Sequence, residues 1–204
     1  MTARKRVALA AGLLTTGMLI CAALALAADI DCAGGGPVCK GTNQPDNIIG
    51  TNNPDEIFGK GGADQDIAGR GGNDILHGGP GGDHIDEANA GDNGRDTIFG
   101  DSGADDIEGG PGGDQIFGGE DHDNVYGDEG ADLIDGEDGD DTMHGEQGDD
   151  TLRGGHGNDT IDASGDESPD GRDKVDCGKG NNDTASVNPN DDVRHCDGNV
   201  TIVP

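Results

Sequence analysis

The chain has very few of the side chains from which globular cores are built. Its 204 residues include no Trp, one Tyr and three Phe, and only 30% of them are hydrophobic. Basic residues are scarce too, since 12 Lys and Arg stand against 43 Asp and Glu, giving a formal net charge of −31. This balance argues against nucleic acid and anionic membrane surfaces as direct partners. Composition alone would describe a disordered acidic polymer.

Motifs for catalysis are missing as well. The six histidines, His77, His84, His122, His144, His156 and His195, fall at different phases of the sequence and form no H-E-x-x-H motif. No serine stands in a nucleophile-elbow context, and no loop has EF-hand spacing. We therefore expect no enzymatic activity.

What the chain does have is aspartate at a nine-residue period. The steps between successive members are 9, 9, 10, 9 and 13 residues, and then 9 residues seven times. An aliphatic residue usually stands two positions later. The series is Asp46, Asp55, Asp64, Asp74, Asp83, Asp96, Asp105, Asp114, Asp123, Asp132, Asp141, Asp150 and Asp159. A fixed period indicates a solenoid, and it argues against disorder because a random coil does not keep Asp in phase with aliphatic residues.

Each half of the repeat has a physical reason. The unit around Asp114 reads G-G-P-G-G-D-Q-I-F. Its glycines permit a tight turn in which carbonyl oxygens and the Asp carboxylate converge, and its last residues form a short strand with the aliphatic side chain inward. Two units then make one coil, and coils stack in parallel. The predicted inner column is Ile48, Ile57, Leu76, Ile85, Ile98, Ile107, Ile116, Val125, Ile134, Met143, Leu152 and Ile161.

The nonapeptide G-G-x-G-x-D-x-U-x, in which U is a large aliphatic residue, resembles the hemolysin-type calcium-binding repeat of RTX proteins over roughly residues 41–162. The resemblance implies an all-β fold, namely a right-handed parallel β-roll or β-helix solenoid with calcium-binding turns. It also implies multiple Ca²⁺ ions, held between stacked turns by Asp carboxylates and backbone carbonyls. The implied metal ligands are Asp64, Asp74, Asp83, Asp96, Asp105, Asp114, Asp123, Asp132, Asp141, Asp150 and Asp159.

The resemblance also divides the repeats between two edges. One edge would hold Asp46, Asp64, Asp83, Asp105, Asp123, Asp141 and Asp159. The other would hold Asp55, Asp74, Asp96, Asp114, Asp132 and Asp150. We expect weak or empty turns at Asp46 and Asp55, because each follows a proline and lacks the glycine two residues before it.

Two places break the register of the repeat. Asp66 stands where the aliphatic residue belongs and Ile67 comes one step late, which predicts a bulge. An insertion of four residues around Glu87–Ala90 predicts a loop that leaves the stack.

The N-terminal sequence predicts export. Arg4-Lys5-Arg6 precedes an apolar run from Val7 to Ala27 that ends in Ala25-Leu26-Ala27, which is typical of a secretory signal peptide cleaved after Ala27. An uncleaved membrane anchor is the alternative. Removal of residues 1–27 would take the formal charge from −31 to −34, and we expect no direct membrane insertion of the mature chain.

The remaining cysteines fit an exported protein. Cys32, Cys39, Cys177 and Cys196 allow three pairings. Because the ends of a long solenoid are far apart, we expect Cys32–Cys39 and Cys177–Cys196; a zinc site is the alternative, although the spacing is poor for it. We therefore divide the chain into a signal peptide at 1–27, an N-terminal disulfide cap at 28–40, repeats at 41–162, and degenerate repeats with a C-terminal disulfide cap at 163–204.

The expected function is that of a secreted calcium-binding repeat protein that folds into a β-roll on binding several ions, with a structural or buffering role. The alternative is a calcium-rigidified adhesion or recognition scaffold that binds a ligand, a protein or a cell-surface partner through an outer sheet face. Phe58, Phe99 and Phe117 follow inward residues of one edge, so they should project from one sheet, with Tyr126 on the opposite sheet.

Overall fold

The structure is a computed structural model that describes residues 28–32, 37–87, 93–165 and 171–203. Within these ranges it is built of short strands. The first ten are β1 Ala28–Asp31, β2 Val38–Lys40, β3 Asp46–Ile49, β4 Glu56–Phe58, β5 Asp66–Ala68, β6 Ile75–Pro80, β7 His84–Asp86, β8 Thr97–Ser102, β9 Asp106–Glu108 and β10 Gln115–Glu120. The rest are β11 Asn124–Tyr126, β12 Leu133–Asp138, β13 Thr142–His144, β14 Thr151–Arg153, β15 Thr160–Ala163, β16 Lys174–Asp176, β17 Thr184–Val187, β18 Asp192–Arg194 and β19 Val200–Ile202.

The strands alternate between two parallel sheets. Sheet one has the order β1-β3-β5-β7-β9-β11-β13-β15-β17-β19, and sheet two has the order β18-β16-β14-β12-β10-β8-β6-β4-β2. Each strand therefore pairs with the strand two elements away, so two nine-residue units form one coil. The repeat period sets this register, as in the pairing of Ile98 with Ile116 and of Ile116 with Ile134. The predicted all-β solenoid of parallel sheets is confirmed.

The core is a column one side chain wide between the sheets. Every residue of the predicted inner column is at most 1% exposed. Ile67 joins them with 0% exposure, because an extra residue is accommodated before β5 and Ile67 then pairs with Ile48. The predicted bulge is therefore present.

Glycine is required where turns of neighbouring coils touch. Gly103 has φ +125°, and a Cβ added there would overlap the carbonyl oxygen of Gly81 in the adjacent coil. By contrast, a Cβ at Gly113 would lie 3.5 Å from the nearest atom, the carbonyl oxygen of Ala131. Alanine already occupies the matching position in other repeats, so only part of the glycine content is a steric necessity.

Both ends of the stack carry a disulfide. Cys32 pairs with Cys39 at a Cα–Cα distance of 5.7 Å, and Cys177 pairs with Cys196 at 5.0 Å, as expected. The degenerate segment after residue 163 continues both sheets as β16–β19. The predicted signal peptide at residues 1–27 lies outside the described residues. No helix of the described part is long and apolar enough to cross a membrane.

The aromatic side chains lie on the outer sides of the sheets, as their positions in the repeat predict. Phe58, Phe99 and Phe117 lie on the outer side of sheet two, where His77 occupies the strand between the first two. Tyr126 lies on sheet one, stacked against His144 with ring centroids 4.7 Å apart. Each sheet therefore carries its own aromatic row.

Two glycine substitutions test the coil-to-coil contact. Gly103→Ala should destabilise the calcium-loaded fold by about 1–3 kcal/mol, because it combines positive φ with a backbone overlap. Gly113→Ala should leave the stability nearly unchanged. Denaturant unfolding in saturating calcium measures both, and equal midpoints for the two variants would contradict the packing described.

Candidate metal centre

The repeat aspartates form two buried columns, one at each edge of the solenoid. In both columns the backbone N–H of one Asp donates to Oδ1 of the Asp one coil further on, with N–O distances of 2.7–3.0 Å. The first column runs through Asp46, Asp64, Asp83, Asp105, Asp123, Asp141 and Asp159. The second runs through Asp55, Asp74, Asp96, Asp114, Asp132 and Asp150. The structure thus brings the eleven candidate ligands into the two predicted rows.

The second oxygen of these carboxylates is the unusual feature. Among the described residues, Oδ2 is buried and accepts no hydrogen bond in Asp64, Asp83, Asp105, Asp114, Asp123, Asp132, Asp141, Asp159 and Asp183. Buried polar atoms in folded proteins nearly always have a partner, because burying an unpaired carboxylate oxygen is costly. A repeated exception therefore indicates a ligand that these oxygens share.

Carbonyl oxygens lie beside the same atoms. A Cβ placed on Gly127 would lie 2.7 Å from Oδ2 of Asp132 and 2.8 Å from the carbonyl oxygen of Gly145 in the next coil. Gly118 has the same surroundings, at 2.6 Å from Oδ2 of Asp123 and 2.9 Å from the carbonyl oxygen of Gly136. The bare glycine thus leaves a small space between an anionic oxygen of one turn and a carbonyl oxygen of the next.

This donor set fits Ca²⁺. Calcium takes six to eight oxygen ligands, including carboxylates and backbone carbonyls, in a flexible geometry. No group of three or more His, Cys, Asp or Glu side chains converges within the described ranges. A cation between two turns would therefore take a carboxylate oxygen from each Asp and most of its other ligands from the backbone. The same oxygen-only set is poor for zinc, which favours nitrogen and sulfur.

The electrostatics of the columns also favour a cation. Burial raises the pKa of Asp105 to about 8, and the pKa values of Asp114 and Asp132 to about 7. The hydrogen bond from the neighbouring backbone N–H lowers these pKa values, and the carboxylates of adjacent coils raise them. Without metal these three carboxyl groups favour the protonated form near neutral pH, and positive charge at the turns would favour the carboxylate instead.

The turns at Asp46 and Asp55 differ from the others in a way that accounts for the weak calcium binding expected there. The backbone N–H of Thr42 donates to Oδ2 of Asp46. Thr51 donates both its backbone N–H and its hydroxyl to Oδ2 of Asp55, at 2.7 and 2.8 Å. Here the oxygen that faces the turn is satisfied by protein. That these turns bind calcium weakly stays a prediction.

Comparison with protein-family models identifies the repeats. The RTX calcium-binding nonapeptide repeat model matches residues 40–65, 66–86, 90–116, 108–143, 117–152 and 135–167, which together cover more than half of the chain. The chain belongs to the RTX calcium-binding repeat family. A search of curated proteins found no match. Because the repeats of this family are calcium-binding motifs, the chain binds multiple Ca²⁺ ions.

The columns extend further than the RTX consensus indicated. Asp173 and Asp183 are 1% and 0% exposed, and they accept the backbone N–H groups of Asp150 and Asp159 in the same register. Both lie in the segment 163–204, where the Asp-x-aliphatic pattern of Asp173-Lys174-Val175 and Asp183-Thr184-Ala185 indicates degenerate repeats, but neither Asp is among the expected ligands.

Glu87 was wrongly expected to leave the stack. It is 1% exposed, and its carboxylate accepts the backbone N–H groups of Gly69 and Arg70, the latter at 3.0 Å. Burial raises its pKa to about 8, partly offset by the N–H donor from Gly69. The side chain takes over hydrogen bonding that backbone carbonyls provide in regular coils. Ala88–Ala90, the rest of the expected loop, lie outside the described residues.

The histidines pair with aspartates of adjacent coils instead of forming one site. His77 lies 3.6 Å from Asp101, and His156 lies 2.8 Å from Asp138. His84 and His144 have similar neighbours on sheet one. Within the described residues these contacts are scattered along the solenoid, so they assemble no catalytic group.

A mid-array ligand can be compared with an end-turn aspartate. Asp114→Asn keeps an oxygen for the Asp96 N–H but replaces the second carboxylate oxygen by an amide. It should weaken calcium binding roughly tenfold or more at the adjoining sites. Asp55→Asn should have little effect on calcium binding, because Thr51 satisfies that turn. Isothermal titration measures both variants, and equal losses would contradict the difference between the turns.

The raised pKa values predict a pH dependence of the metal-free chain. A folded-state pKa of about 7–8 against an ordinary value of 3.8 means that the metal-free fold binds more protons than the unfolded chain. Protonation of these carboxyl groups therefore stabilises the metal-free fold. The stabilisation is complete below the ordinary pKa of 3.8 and is lost as the pH rises through the folded-state pKa values of about 7–8. In chelator, acidification from pH 8 to about 5 should increase the β-sheet circular dichroism. An identical spectrum at both pH values would contradict the assignment.

Proposed function

We propose that this protein is a secreted calcium-binding repeat protein whose β-roll forms on binding multiple Ca²⁺ ions, with a structural or calcium-buffering role outside the cell. The observation that carries the proposal is the repeated buried carboxylate oxygen that accepts no hydrogen bond and lies beside a carbonyl of the next coil. The ligand role of the eleven candidate Asp residues, from Asp64 to Asp159, is part of this proposal.

The balance of forces explains why folding would follow calcium. The core is one aliphatic side chain per strand, whereas ordering the chain fixes many of its 41 glycines and aligns like charges along two edges. Glycine loses more conformational freedom on folding than other residues, and carboxylates in a row repel one another. Bound Ca²⁺ would supply positive charge and bonds between coils, so that metal-binding free energy becomes folding free energy.

Secretion is supported by two features. The leader at residues 1–27 has the basic, apolar and small-residue segments of a signal peptide. The two disulfides are typical of proteins that fold in an oxidising compartment. A chain with this leader would fold where calcium is abundant and stay unfolded where calcium is scarce.

A recognition scaffold is the second candidate. The observation that favours it is the row of stacked rings on the outer side of sheet two, which is an unusual use of the few aromatic residues of this chain. In this case calcium would build a rigid surface, and the surface would carry the biological activity. Catalysis is no part of either candidate.

The proposed function is tested by calcium titration of residues 28–204. Circular dichroism in chelator should show a chain that is mostly coil, with a cooperative gain of β-sheet signal as calcium is added. Magnesium should substitute poorly, because its small octahedral shell is ill suited to carbonyl-rich sites. A spectrum that does not change between chelator and excess calcium would disprove calcium-dependent folding.

A further inference from the structure

The aromatic row on sheet two is a continuous stack. Phe58, His77, Phe99 and Phe117 follow one another with ring centroids 4.9, 4.6 and 5.1 Å apart. Neighbouring rings are within 9° of parallel. The strand spacing of about 4.8 Å imposes this arrangement, because residues at the same phase of successive coils lie directly side by side. Most ring faces are therefore covered by other rings.

The two ends of the stack have different surroundings. At one end the Nζ of Lys40 lies 4.9 Å from the centroid of the Phe58 ring, so a cation covers the last face. At the other end the next residue of the row is Asp135, which lies 3.7 Å from Arg153. Among the described residues, neither a ring nor a cation is placed over the outer face of Phe117.

A cavity adjoins this end of the stack. Its volume is ≈ 330 Å³, and its side chains are those of Phe99, Phe117, Asp101, Glu120, Glu137 and Asp138. Gly119 forms the floor and pairs in register with Asp101 on one side and Glu137 on the other. Because the Gly119 strand lies between them, the backbones of Asp101 and Glu137 are about two strand spacings apart, roughly 10 Å, and Gly119 places no side chain between them.

The two flanking acids occupy a conformation that favours glycine. Asp101 has φ +72° and Glu137 has φ +70°, whereas Gly79, Gly119 and Gly155 hold the equivalent positions in other coils of this edge. A non-glycine residue in this region has a conformational cost of about 1 kcal/mol or more. The sequence thus places carboxylates at the cavity where glycine would be the easier choice.

The charge of the cavity is only partly balanced. Asp101 lies 3.6 Å from His77, and Asp138 lies 2.8 Å from His156. Glu120 and Glu137 have no cationic partner within the described part of the chain. Burial together with Asp135, Asp138 and Asp101 raises the pKa of Glu137. A positive group in the cavity would therefore gain from several carboxylates at once.

We propose that this cavity binds an arginine or lysine side chain of a basic partner peptide, with its apolar stem against Phe99 and Phe117 and its cationic head paired with Glu120 and Glu137. Arginine should bind better than lysine, because a planar guanidinium can contact two carboxylates together. The inference rests on the calcium-built fold proposed above and gives the recognition candidate a partner class.

The probe for the experiment is a tetra-arginine amide, with tetra-lysine amide for comparison. Binding to residues 28–204 is measured by isothermal titration in excess calcium and about 0.15 M salt, where diffuse surface attraction is screened beyond roughly 8 Å. The test variant combines Asp101→Gly with Glu137→Gly, which relieves positive φ and should leave the fold intact. It should lower the affinity for tetra-arginine roughly tenfold.

The matched control combines Asp128→Gly with Glu146→Gly. These acids also have positive φ, +69° and +65°, and the control removes the same charge from turns that follow sheet-one strands. Its affinity for tetra-arginine should match that of the unchanged protein. Equal loss in the test and control variants would show attraction to acidic surface in general and overturn the proposal, as would no binding to the unchanged protein at millimolar peptide.

Circular dichroism of each variant in the same buffer separates this site from the fold. Loss of peptide binding with an unchanged β-sheet signal supports the cavity. If the double glycine variant does not fold, Glu120→Gln replaces it, with Glu129→Gln as its control, and unchanged binding in Glu120→Gln would overturn the proposal. Failure of the proposed function has a different result: the circular dichroism of the unchanged chain would then not respond to calcium.

Discussion

The structure depends on how one carboxylate oxygen per repeat is satisfied. From Asp64 onward, Oδ1 of each repeat Asp accepts a backbone N–H of the preceding coil, which aligns the coils and buries the whole side chain. Oδ2 is then confined at the turn beside a carbonyl oxygen. Since neither oxygen can donate, the turn brings together like partial charges that only a proton or a cation can neutralise. Coil register and metal dependence therefore have the same origin.

The thin core also favours the metal dependence that we propose. Two sheets that share a single aliphatic column bury little apolar surface for each residue that is ordered, and glycine turns add nothing to it. A solenoid gains stability mainly between neighbouring coils. In this chain backbone N–H groups join the coils at the edges by hydrogen bonds to Oδ1, but the same contacts bring carboxylates of successive coils together. Their repulsion opposes stacking, and bound cations would relieve it.

Periodicity made the fold and the two columns predictable, because each nine-residue step advances the chain by half a coil. The bulge at Ile67 was predictable for the same reason, since one extra residue must be absorbed before the aliphatic position. The buried position of Glu87 was not predictable. The length of the insertion predicts a loop, but it does not reveal that the Glu87 carboxylate accepts backbone N–H groups in place of a backbone carbonyl. Likewise, the positions of the three Phe within their repeats predicted that they lie on one sheet. Only the ring geometry shows that His77 stacks between Phe58 and Phe99.

The Thr turns at the start of the array show that the repeat geometry has two solutions. At Asp55 the turn-facing oxygen accepts two hydrogen bonds from Thr51, and the strand that follows has the same register as elsewhere. The matching position of later units is glycine or a charged residue, as in Gly119, Asp101 and Glu137, and offers no hydroxyl. We propose that such a turn leaves the oxygen to a cation. On this proposal calcium dependence is a property of individual turns, and the chain sets its extent by the number of turns that lack a Thr donor.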